Sequence, residues 1–392
     1  MRIGFETELF DPARGGTEVY VSRFARQMLA AGHEVHLFSS AFREAPAGAR
    51  LHCVQPYHAA AVQAAITTAR LDVMVGSGRR PGMNVVQPHG GTYLGSRRQN
   101  LALIRNPILR RMQAWFNSVN PKCRAAARLE QSMYAQQEPR PHFVAISERV
   151  RDDMRRDYHV PDERLHVVYH GVDTEQFSPA KKAVQRDEMR RAWGLEPDTV
   201  CFLLVAHNFR LKGARELIEA AAQIRRQRRD FAVLIIGKGR QAPFQRLARR
   251  LGCGDVVRFP GALREVERAY AAADVYVQPA WYEPFGLVVL EALACGLPVI
   301  ATRITGAAEL MTEGREGYIV ESPADTTALA SRMLALFDAN LRVRMGQSSR
   351  ALAERHTQQQ HFHAMMKVFE LAAQESAHSR RELPSDLRRR VA

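Results

Sequence analysis

The sequence predicts an α/β protein with two doubly wound domains that face each other across a cleft. Short apolar runs of strand length alternate with amphipathic helical segments along nearly the whole chain. This alternation occurs in two series, separated by a polar and charged stretch at 178–197. Alternating strands and helices are typical of parallel sheets with right-handed crossovers. A length of 392 residues also suggests two domains.

The first series predicts a domain over residues 1–175. Residues 2–6 form an apolar strand, and a glycine-rich turn follows them. The next apolar residues fall on one face of a helix: Val21, Phe24, Ala25, Met28 and Leu29. Gly32 ends this helix, and E-V-H-L-F-S follows as the second strand. Further buried strands are predicted at L-D-V-M-V-G-S, N-V-V-Q-P-H and H-F-V-A-I-S.

The second series predicts a domain over residues 176–355. Its strands are predicted at C-F-L-L-V-A-H, F-A-V-L-I-I-G, V-V-R-F-P-G, D-V-Y-V-Q-P-A and P-V-I-A-T. Its helices are predicted at A-R-E-L-I-E-A-A-A-Q-I, A-P-F-Q-R-L-A-R-R-L-G, V-E-R-A-Y-A-A-A and G-L-V-V-L-E-A-L-A-C-G. A final helix over 356–379 places Met365, Met366 and Phe369 at the spacing of core residues, and residues 380–392 form a basic tail.

The composition is that of a globular protein with excess positive charge. Hydrophobic residues make up 46% of the chain, and 56 Lys and Arg outnumber 41 Asp and Glu, which gives a net charge of +15. No apolar run approaches the roughly 18 residues of a membrane-spanning helix, and the first residues lack a signal-peptide core. The 5 cysteines are scattered. We therefore expect a cytoplasmic protein with reduced thiols and no structural zinc.

A basic segment in the first half is the main candidate for contact with a large partner. Between Arg97 and Arg128 the sequence has basic residues and no acidic ones, and Trp115, Phe116 and aliphatic residues lie among them. This composition is typical of an interfacial helix on anionic lipid, although Leu and Ile at helical spacing also form ordinary core. The predicted membrane contacts are Arg97, Arg98, Arg105, Arg110, Arg111 and Trp115.

A nucleic-acid-binding protein is the alternative from another class. The positive charge permits such a partner. The sequence contains no helix-turn-helix, zinc-finger, RRM or KH pattern, however. We therefore expect no nucleic acid, and DNA or RNA binding with a steep salt dependence would revive this alternative.

The residues with the clearest chemical pattern follow the strand D-V-Y-V-Q-P-A. Glu283, Pro284, Phe285 and Gly286 form a loop, and a helix begins near Leu287. A helix N-terminus presents unpaired N–H groups and a partial positive charge, so that it can bind a phosphate or a hydroxyl group. Gly286 allows a close approach of the backbone to a ligand. The loop therefore predicts a binding site.

This loop belongs to a longer pattern that identifies a family. Glu283 and Glu291 form an E-x7-E pair within E-P-F-G-x-x-x-x-E-A-x-A-x-G-x-P-V. The pattern resembles the signature of retaining glycosyltransferases of family 4, which have the GT-B fold of two Rossmann-like domains. The resemblance continues in N-F-R-L-K-G at 208–213, in G-K-G at 237–239 and at 305–325. In the first half it is carried by Gly15–Gly16 and by H-G-V-D-T-E-Q-F.

The resemblance implies roles for residues of the second domain. Glu291 would bind the ribose hydroxyls of a nucleotide-sugar donor. Glu283 would bind hydroxyls of the transferred sugar, beside the backbone amides of Phe285, Gly286 and Leu287. Arg210 and Lys212 would pair with the donor diphosphate.

The resemblance also implies roles in the first domain. Gly15 and Gly16 would bring a backbone amide to the donor phosphates. His89, after the strand N-V-V-Q-P-H, would contact the donor sugar near the reaction centre. The final helix would cross back to the first domain.

Charge compensation predicts a metal-independent enzyme. The departure of a nucleoside diphosphate leaves negative charge, which cations or dipoles must stabilise. The sequence contains no D-x-D pair, the usual seat of a metal on nucleotide-sugar phosphates. Arg210 and Lys212 can take that role. We expect no metal and no cofactor, with a nucleotide sugar as co-substrate.

Two departures from the usual pattern refine the expectation. Only one residue separates Arg210 from Lys212, and this compact form resembles the glucosyltransferases of the lipopolysaccharide core, which also carry a basic segment that contacts membranes. This implies UDP-glucose as donor and a glycolipid acceptor at the inner face of the cytoplasmic membrane. A soluble acceptor or an exopolysaccharide intermediate is the alternative. His170 stands where the family usually has Asn, which leaves that residue's contact open.

Overall fold

The computed structural model describes residues 1–7, 9–11, 16–54, 68–76, 82–135 and 141–382. The chain divides into two compact units. Unit 1 comprises Met1–Arg97, Arg111–Val168 and the chain from His361, and unit 2 comprises Arg98–Arg110 and Tyr169–Gln360. The predicted boundaries, after residues 175 and 355, lie close to the divisions after Val168 and Gln360. The assignment of Arg98–Arg110 to unit 2 differs from the prediction, which placed this segment in the first domain.

The described residues form parallel strands that alternate with helices, as predicted. The strands are β1 (Arg2–Glu6), β2 (Glu34–Ser39), β3 (Arg50–Cys53), β4 (Val73–Gly76), β5 (Val85–Val86), β6 (His142–Ala145), β7 (Leu165–Val167), β8 (Val200–Val205), β9 (Phe231–Ile236), β10 (Val257–Gly261), β11 (Val275–Gln278), β12 (Val299–Thr302) and β13 (Gly317–Val320). The helices are α1 (Gly16–Ala30), α2 (Tyr93–Ala102), α3 (Pro107–Val119), α4 (Pro121–Ala135), α5 (Glu148–Tyr158), α6 (Pro179–Ala192), α7 (Ala214–Arg225), α8 (Ala242–Arg250), α9 (Glu267–Ala272), α10 (Leu287–Ala294), α11 (Thr326–Ala335), α12 (Ala339–Ala353) and α13 (Gln358–Glu382). No helix among these residues is long and apolar enough to cross a membrane.

Unit 1 contains a seven-stranded parallel sheet in the order β3-β2-β1-β4-β5-β6-β7. Its core includes Phe5 of β1 and Phe24 of α1. Helix α13 belongs to this core, since Met365 and Phe369 are fully buried there, and the rings of Phe5 and Phe369 are 6.4 Å apart. The spacing of apolar residues in the final helix therefore predicted its buried face, with Met366 partly buried.

Unit 2 contains a six-stranded parallel sheet in the order β10-β9-β8-β11-β12-β13. Strands β8, β9, β11 and β12 are almost entirely buried, which explains their continuous apolar runs in the sequence. The strand order reverses between β8 and β11. Ligands of doubly wound sheets bind at the carboxyl ends of the strands beside such a reversal. The loops after β8 and β11 are therefore expected to form a site.

Candidate functional site

The loops after β8 and β11 touch through Gly213 and Pro279. Gly213 has a φ of +79°, and a Cβ atom built on it would lie 1.9 Å from the Pro279 carbonyl oxygen. Only glycine permits this approach. As a result, Lys212 reaches the loop after β11, where its Nζ donates to the Tyr282 carbonyl oxygen at 3.1 Å and pairs with Glu283 Oε2 at 2.7 Å.

The Glu283 carboxylate is held by the strand before it as well as by Lys212. Gln278 Nε2 donates to Glu283 Oε2 at 2.9 Å, and the Tyr276 hydroxyl donates to Gln278 Oε1 at 2.5 Å. The side chains of Glu283 and Lys212 are still 15% and 19% exposed. The site therefore combines a fixed carboxylate and a fixed cation that a ligand can reach.

Gly286 turns the chain from this loop into helix α10. Its φ is +99°, and a Cβ atom there would lie 3.0 Å from Glu283 Cγ. Phe285 is buried, and its carbonyl oxygen accepts from the Ala307 amide at 2.7 Å. Leu287 is the first residue of α10. The helix N-terminus is thus anchored beside Glu283, and such a terminus attracts anions and hydroxyl oxygens.

Glu291 lies in α10 and is oriented by a buried tyrosine. The Tyr270 hydroxyl donates to Glu291 Oε2 at 2.8 Å. Burial and the Glu291 charge raise the pKa of Tyr270 well above its usual value, so that the hydroxyl remains a donor. Tyr270, Tyr276 and Gln278 were not predicted from the sequence. Gln278 could have been predicted, because it is a polar residue at the end of an otherwise apolar strand. Tyr270 and Tyr276 could not, because buried tyrosines follow the same sequence pattern as ordinary core residues.

Positive charge surrounds the loop after β8. Arg210 is exposed, and among the residues that the structure describes its guanidinium has no hydrogen bond or ion pair. Burial, followed by the charges of Lys238 and Lys212, lowers the pKa of His207. The region is therefore suited to a phosphate group.

Close packing accounts for both glycines of the G-K-G segment at 237–239. A Cβ atom on Gly237 would lie 1.7 Å from the Ala206 carbonyl oxygen, and one on Gly239 would lie 2.6 Å from the Phe209 ring. The segment therefore packs directly against the loop after β8 and fixes its shape. His170 packs its ring at 5.1 Å against Phe285, so it supports the loop after β11 where the family usually has Asn.

In unit 1, His89 follows β5 and packs against Tyr20. The two ring centroids are 4.5 Å apart. The Tyr20 hydroxyl lies 2.9 Å from His361 Nε2 and 3.3 Å from Gln87 Oε1. Burial and the nearby His361 lower the pKa of His89 to about 3, so this ring is neutral near pH 7. Gly16 begins α1 and is exposed, and Gly15 lies outside the described residues.

Helix α3 in the basic segment has no buried side chain. The alternative that its apolar residues form ordinary core is therefore wrong. Trp115 is 67% exposed, and Arg110 and Arg111 are exposed on the same helix. The other exposed apolar residues of α3 are Ile108, Leu109, Met112, Phe116 and Val119.

The remaining basic residues of the segment have different surroundings. Arg97 lies over the Tyr93 ring at 5.6 Å, and Arg98 is exposed on α2. Arg105 donates to Glu216 Oε1 at 3.0 Å and to Glu219 Oε2 at 2.8 Å, within unit 2. The membrane contact at Arg105 stays a prediction, for a guanidinium whose charge two carboxylates already compensate.

Known proteins resemble this chain in sequence along about half its length. It is 36% identical over 211 residues to D-inositol 3-phosphate glycosyltransferase 2 of Catenulispora acidiphila, an alignment covering 50% of this chain and 48% of that protein. It is 31% identical over 213 residues to alpha-D-kanosaminyltransferase of Streptomyces kanamyceticus, and this alignment covers 53% of this chain and 54% of that protein. The chain thus spans about half the length of the curated relatives that it matches.

Solved structures resemble the whole chain in fold. WaaG, a glycosyltransferase involved in lipopolysaccharide biosynthesis, superposes with a TM-score of 0.75 at 22% identity, over 95% of this chain and 98% of that one. HepE of Anabaena, in complex with UDP-glucose, superposes with a TM-score of 0.70 at 19% identity, over 96% of this chain and 100% of that one. At these identities the likeness shows the fold, which is GT-B.

Two family models divide the chain between them. The model for glycosyltransferase family 4 matches residues 14–176, and the model for glycosyl transferases group 1 matches residues 185–352. The second match contains both loops of the candidate site. The chain therefore belongs to the family 4 glycosyltransferases, with the GT-B fold.

Proposed function

We propose that the protein transfers a hexose, expected to be glucose, from a nucleotide-sugar donor to a membrane-associated glycolipid with retention of anomeric configuration. The observation that carries this proposal is the Lys212–Glu283 pair at the carboxyl ends of β8 and β11, with Nζ and Oε2 2.7 Å apart. It places a cation and a hydrogen-bond acceptor together at the N-terminus of α10. A sugar diphosphate needs both kinds of group.

The pair provides a way of coupling donor binding to sugar recognition. A bound diphosphate would compete with Glu283 for the Lys212 ammonium. Once Lys212 pairs with phosphate, the Glu283 carboxylate, still held by Gln278 at 2.9 Å, becomes available to hydroxyls of the transferred sugar. Glu291, oriented by Tyr270, would accept from the ribose hydroxyls. Arg210 would complete the neutralisation of the diphosphate.

Sugar transfer from a nucleotide sugar depends more on stabilising the departing diphosphate than on a strong base that deprotonates the acceptor. As the bond from the sugar to the diphosphate breaks, charge accumulates on the phosphate oxygens, where Arg210, Lys212 and the α10 N-terminus would stabilise it. We propose that the leaving phosphate accepts the proton of the attacking hydroxyl on the same face of the sugar, without a metal ion. The neutral His89 suits contact with a sugar hydroxyl, and Gly16 contact with a phosphate.

The proposed acceptor is a glycolipid such as the lipopolysaccharide core. Its support is the uncovered apolar face of α3 beside Arg110 and Arg111, which would hold the protein at the inner face of the cytoplasmic membrane. The likeness to WaaG adds to this support. A soluble acceptor is the second candidate, because D-inositol 3-phosphate glycosyltransferases are among the relatives that are 31% to 36% identical.

One transfer assay tests both candidates. The purified protein is given UDP-, GDP-, ADP- or dTDP-α-glucose together with either truncated lipopolysaccharide in anionic vesicles or D-inositol 3-phosphate. We expect transfer from UDP-glucose to the lipid acceptor, an α-linked product by NMR, and unchanged rates in EDTA. Transfer only to the inositol phosphate would support the second candidate. A β-linked product, a trapped glycosyl-enzyme, or loss of activity in EDTA restored by Mg²⁺ would contradict the proposed mechanism.

A further inference from the structure

A cavity within unit 2 lies away from the candidate donor site. Its volume is about 640 Å³, which is within the usual range of small-molecule pockets. Its walls are α6 and α12, and its floor is the chain just before β11 and β12. It therefore lies at the amino ends of these strands, whereas the candidate donor site follows their carboxyl ends. The lining residues from α6 are Pro179, Lys182, Ala183 and Arg186.

The acidic residues that line this cavity are already paired. Asp274 Oδ1 accepts from Arg186 Nη2 at 2.6 Å, and Asp274 Oδ2 accepts from Arg190 Nη1 at 3.2 Å. Glu354 Oε1 accepts from Arg350 Nε at 2.8 Å. Lys182 is different, since its ammonium has neither a hydrogen bond nor an ion pair among the residues that the structure describes. The cavity thus contains a cation with no direct partner among these residues, on which the charge of Asp274 acts without a hydrogen bond.

The position of Lys182 in α6 makes this cation unfavourable. Helix α6 begins at Pro179, and its first turn has no acidic residue. A cation near a helix N-terminus faces the positive end of the helix dipole. Arg186, four residues later, adds a like charge on the same face. Departures from such local rules are expected at functional or strained sites.

The titration of Lys182 agrees with this argument. Burial, followed by the charge of Arg186, lowers its pKa to about 8. Burial raises the pKa of Cys295 to about 12, so this thiol stays neutral up to pH 9.5. The titratable and charged groups that face Lys182 are Arg186, Cys201, Asp274, Cys295, Arg342, Arg350 and Glu354.

We propose that this cavity binds a small organic anion, a carboxylate or phosphate ester with a short apolar body, whose charged group pairs with the Lys182 ammonium. Arg342 of α12 lines the same cavity and adds positive charge. The apolar body would contact the uncharged part of the lining, such as Ala183, Pro298 and Val343. The site is independent of the proposed transferase function, because it shares no residue with the candidate donor site.

Calorimetric titration of the full chain with three probes tests this site. Hexanoate and hexyl phosphate each combine an oxyanion with an apolar chain and distinguish the two possible charged groups, whereas hexanol has the chain alone. Lys182→Met removes the charge and keeps an apolar stem, and Lys181→Met is the matched control on the exposed neighbour. We expect at least one anion to bind the parent and Lys181→Met, and to bind Lys182→Met at least tenfold more weakly.

Two further titrations distinguish binding at Lys182 from binding elsewhere on the protein. At pH 9.5 Lys182, whose pKa is about 8, is mostly neutral, so the affinity for hexanoate, which stays a singly charged anion at both pH values, should fall several-fold from that at pH 7. Lys212→Gln in the candidate donor site should bind the anion as the parent does. Equal affinity in Lys182→Met and Lys181→Met, equally tight hexanol binding, an affinity unchanged at pH 9.5, or no binding of either anion would overturn the proposal. The melting temperature of Lys182→Met, expected at or above that of the parent, checks that the variant folds.

Discussion

The loop after β11 and helix α3 are opposite kinds of surface. In the loop, the Glu283 carboxylate has partners in Lys212 and Gln278. In α3, every side chain is at least partly exposed, and large apolar groups such as Trp115 lack cover from the described residues. The loop is organised before a ligand arrives, while α3 exposes a face that water solvates poorly. We therefore expect substitutions in the loop to change the rate of sugar transfer, and substitutions in α3 to change binding to membranes.

The largest effect is expected at Lys212. Lys212→Gln removes the cation nearest to Glu283 and, under the proposed mechanism, to the departing diphosphate. Loss of one group that stabilises developing charge costs about 2.7–4 kcal/mol, so kcat/KM should fall about 100- to 1,000-fold. Initial rates of sugar transfer measure this. Arg215→Gln is the control, because Arg215 is an exposed cation that bonds to Glu219 on α7. Similar losses in both variants would show that general positive charge, and not the site, supports activity.

Vesicle binding through α3 should change by a smaller factor. Replacing Arg110 and Arg111 with Ser removes two exposed charges, each worth about 1 kcal/mol at an anionic surface. Binding to phosphatidylglycerol vesicles should therefore weaken about 30-fold in sedimentation assays. The control replaces Arg249 and Arg250, a second exposed Arg pair, in the last turn of α8. If both double variants bind equally, α3 is not the docking surface.

The exposed apolar side chains of α3 provide a second test of vesicle binding. Ile108→Ser with Trp115→Ser should also weaken vesicle binding. The free energy of unfolding should change by less than about 0.5 kcal/mol per site, because these side chains are exposed. Urea unfolding measures this change. A loss of several kcal/mol would mean that the face is covered within the folded protein and would contradict the comparison.

The last prediction concerns the pH dependence of stability and depends on His89, which packs in unit 1. Its pKa is lowered to about 3 in the folded protein, against about 6.5 for an ordinary histidine. Between these values the unfolded chain binds a proton that the folded protein excludes, so stability falls as pH drops below 6.5. The contribution is at most about 1.4 kcal/mol per pH unit. Urea unfolding at pH 6.5, 5.5 and 4.5 should show a shallower decline for His89→Gln than for the parent.

The control for that series is His159→Asn, because His159 is exposed and Asn tolerates its left-handed backbone. This variant should keep the slope of the parent. A His89→Gln slope equal to that of the parent would mean that His89 is solvated and charges normally.

The sequence pattern predicted those strands and turns that neighbouring residues determine. The strands around 200–302 are continuous apolar runs, and Gly213 and Gly286 mark turns with positive φ, which favours glycine. Strands β3 and β7 were not predicted, because polar residues interrupt their short apolar pattern, and β13 was not predicted, because its four residues follow a charged stretch. Partners distant in sequence were also missed: Arg105 meets Glu216 more than 100 residues later. Helical spacing predicted the buried face of α13, but in α3 the same spacing fitted both a core helix and an interfacial one, and only the exposure of its side chains decides between them.

Direct titration tests whether the loops after β8 and β11 bind a nucleoside diphosphate. UDP, GDP, ADP and dTDP are titrated into the parent and into Glu291→Gln, which keeps an oxygen for the Tyr270 hydroxyl and removes the carboxylate. A hydrogen bond to a charged group is worth about 1.5–3 kcal/mol. We predict that UDP binds the parent and binds Glu291→Gln at least about tenfold more weakly. Equal affinity for both proteins, or no binding of any of the four nucleotides, would contradict the claim.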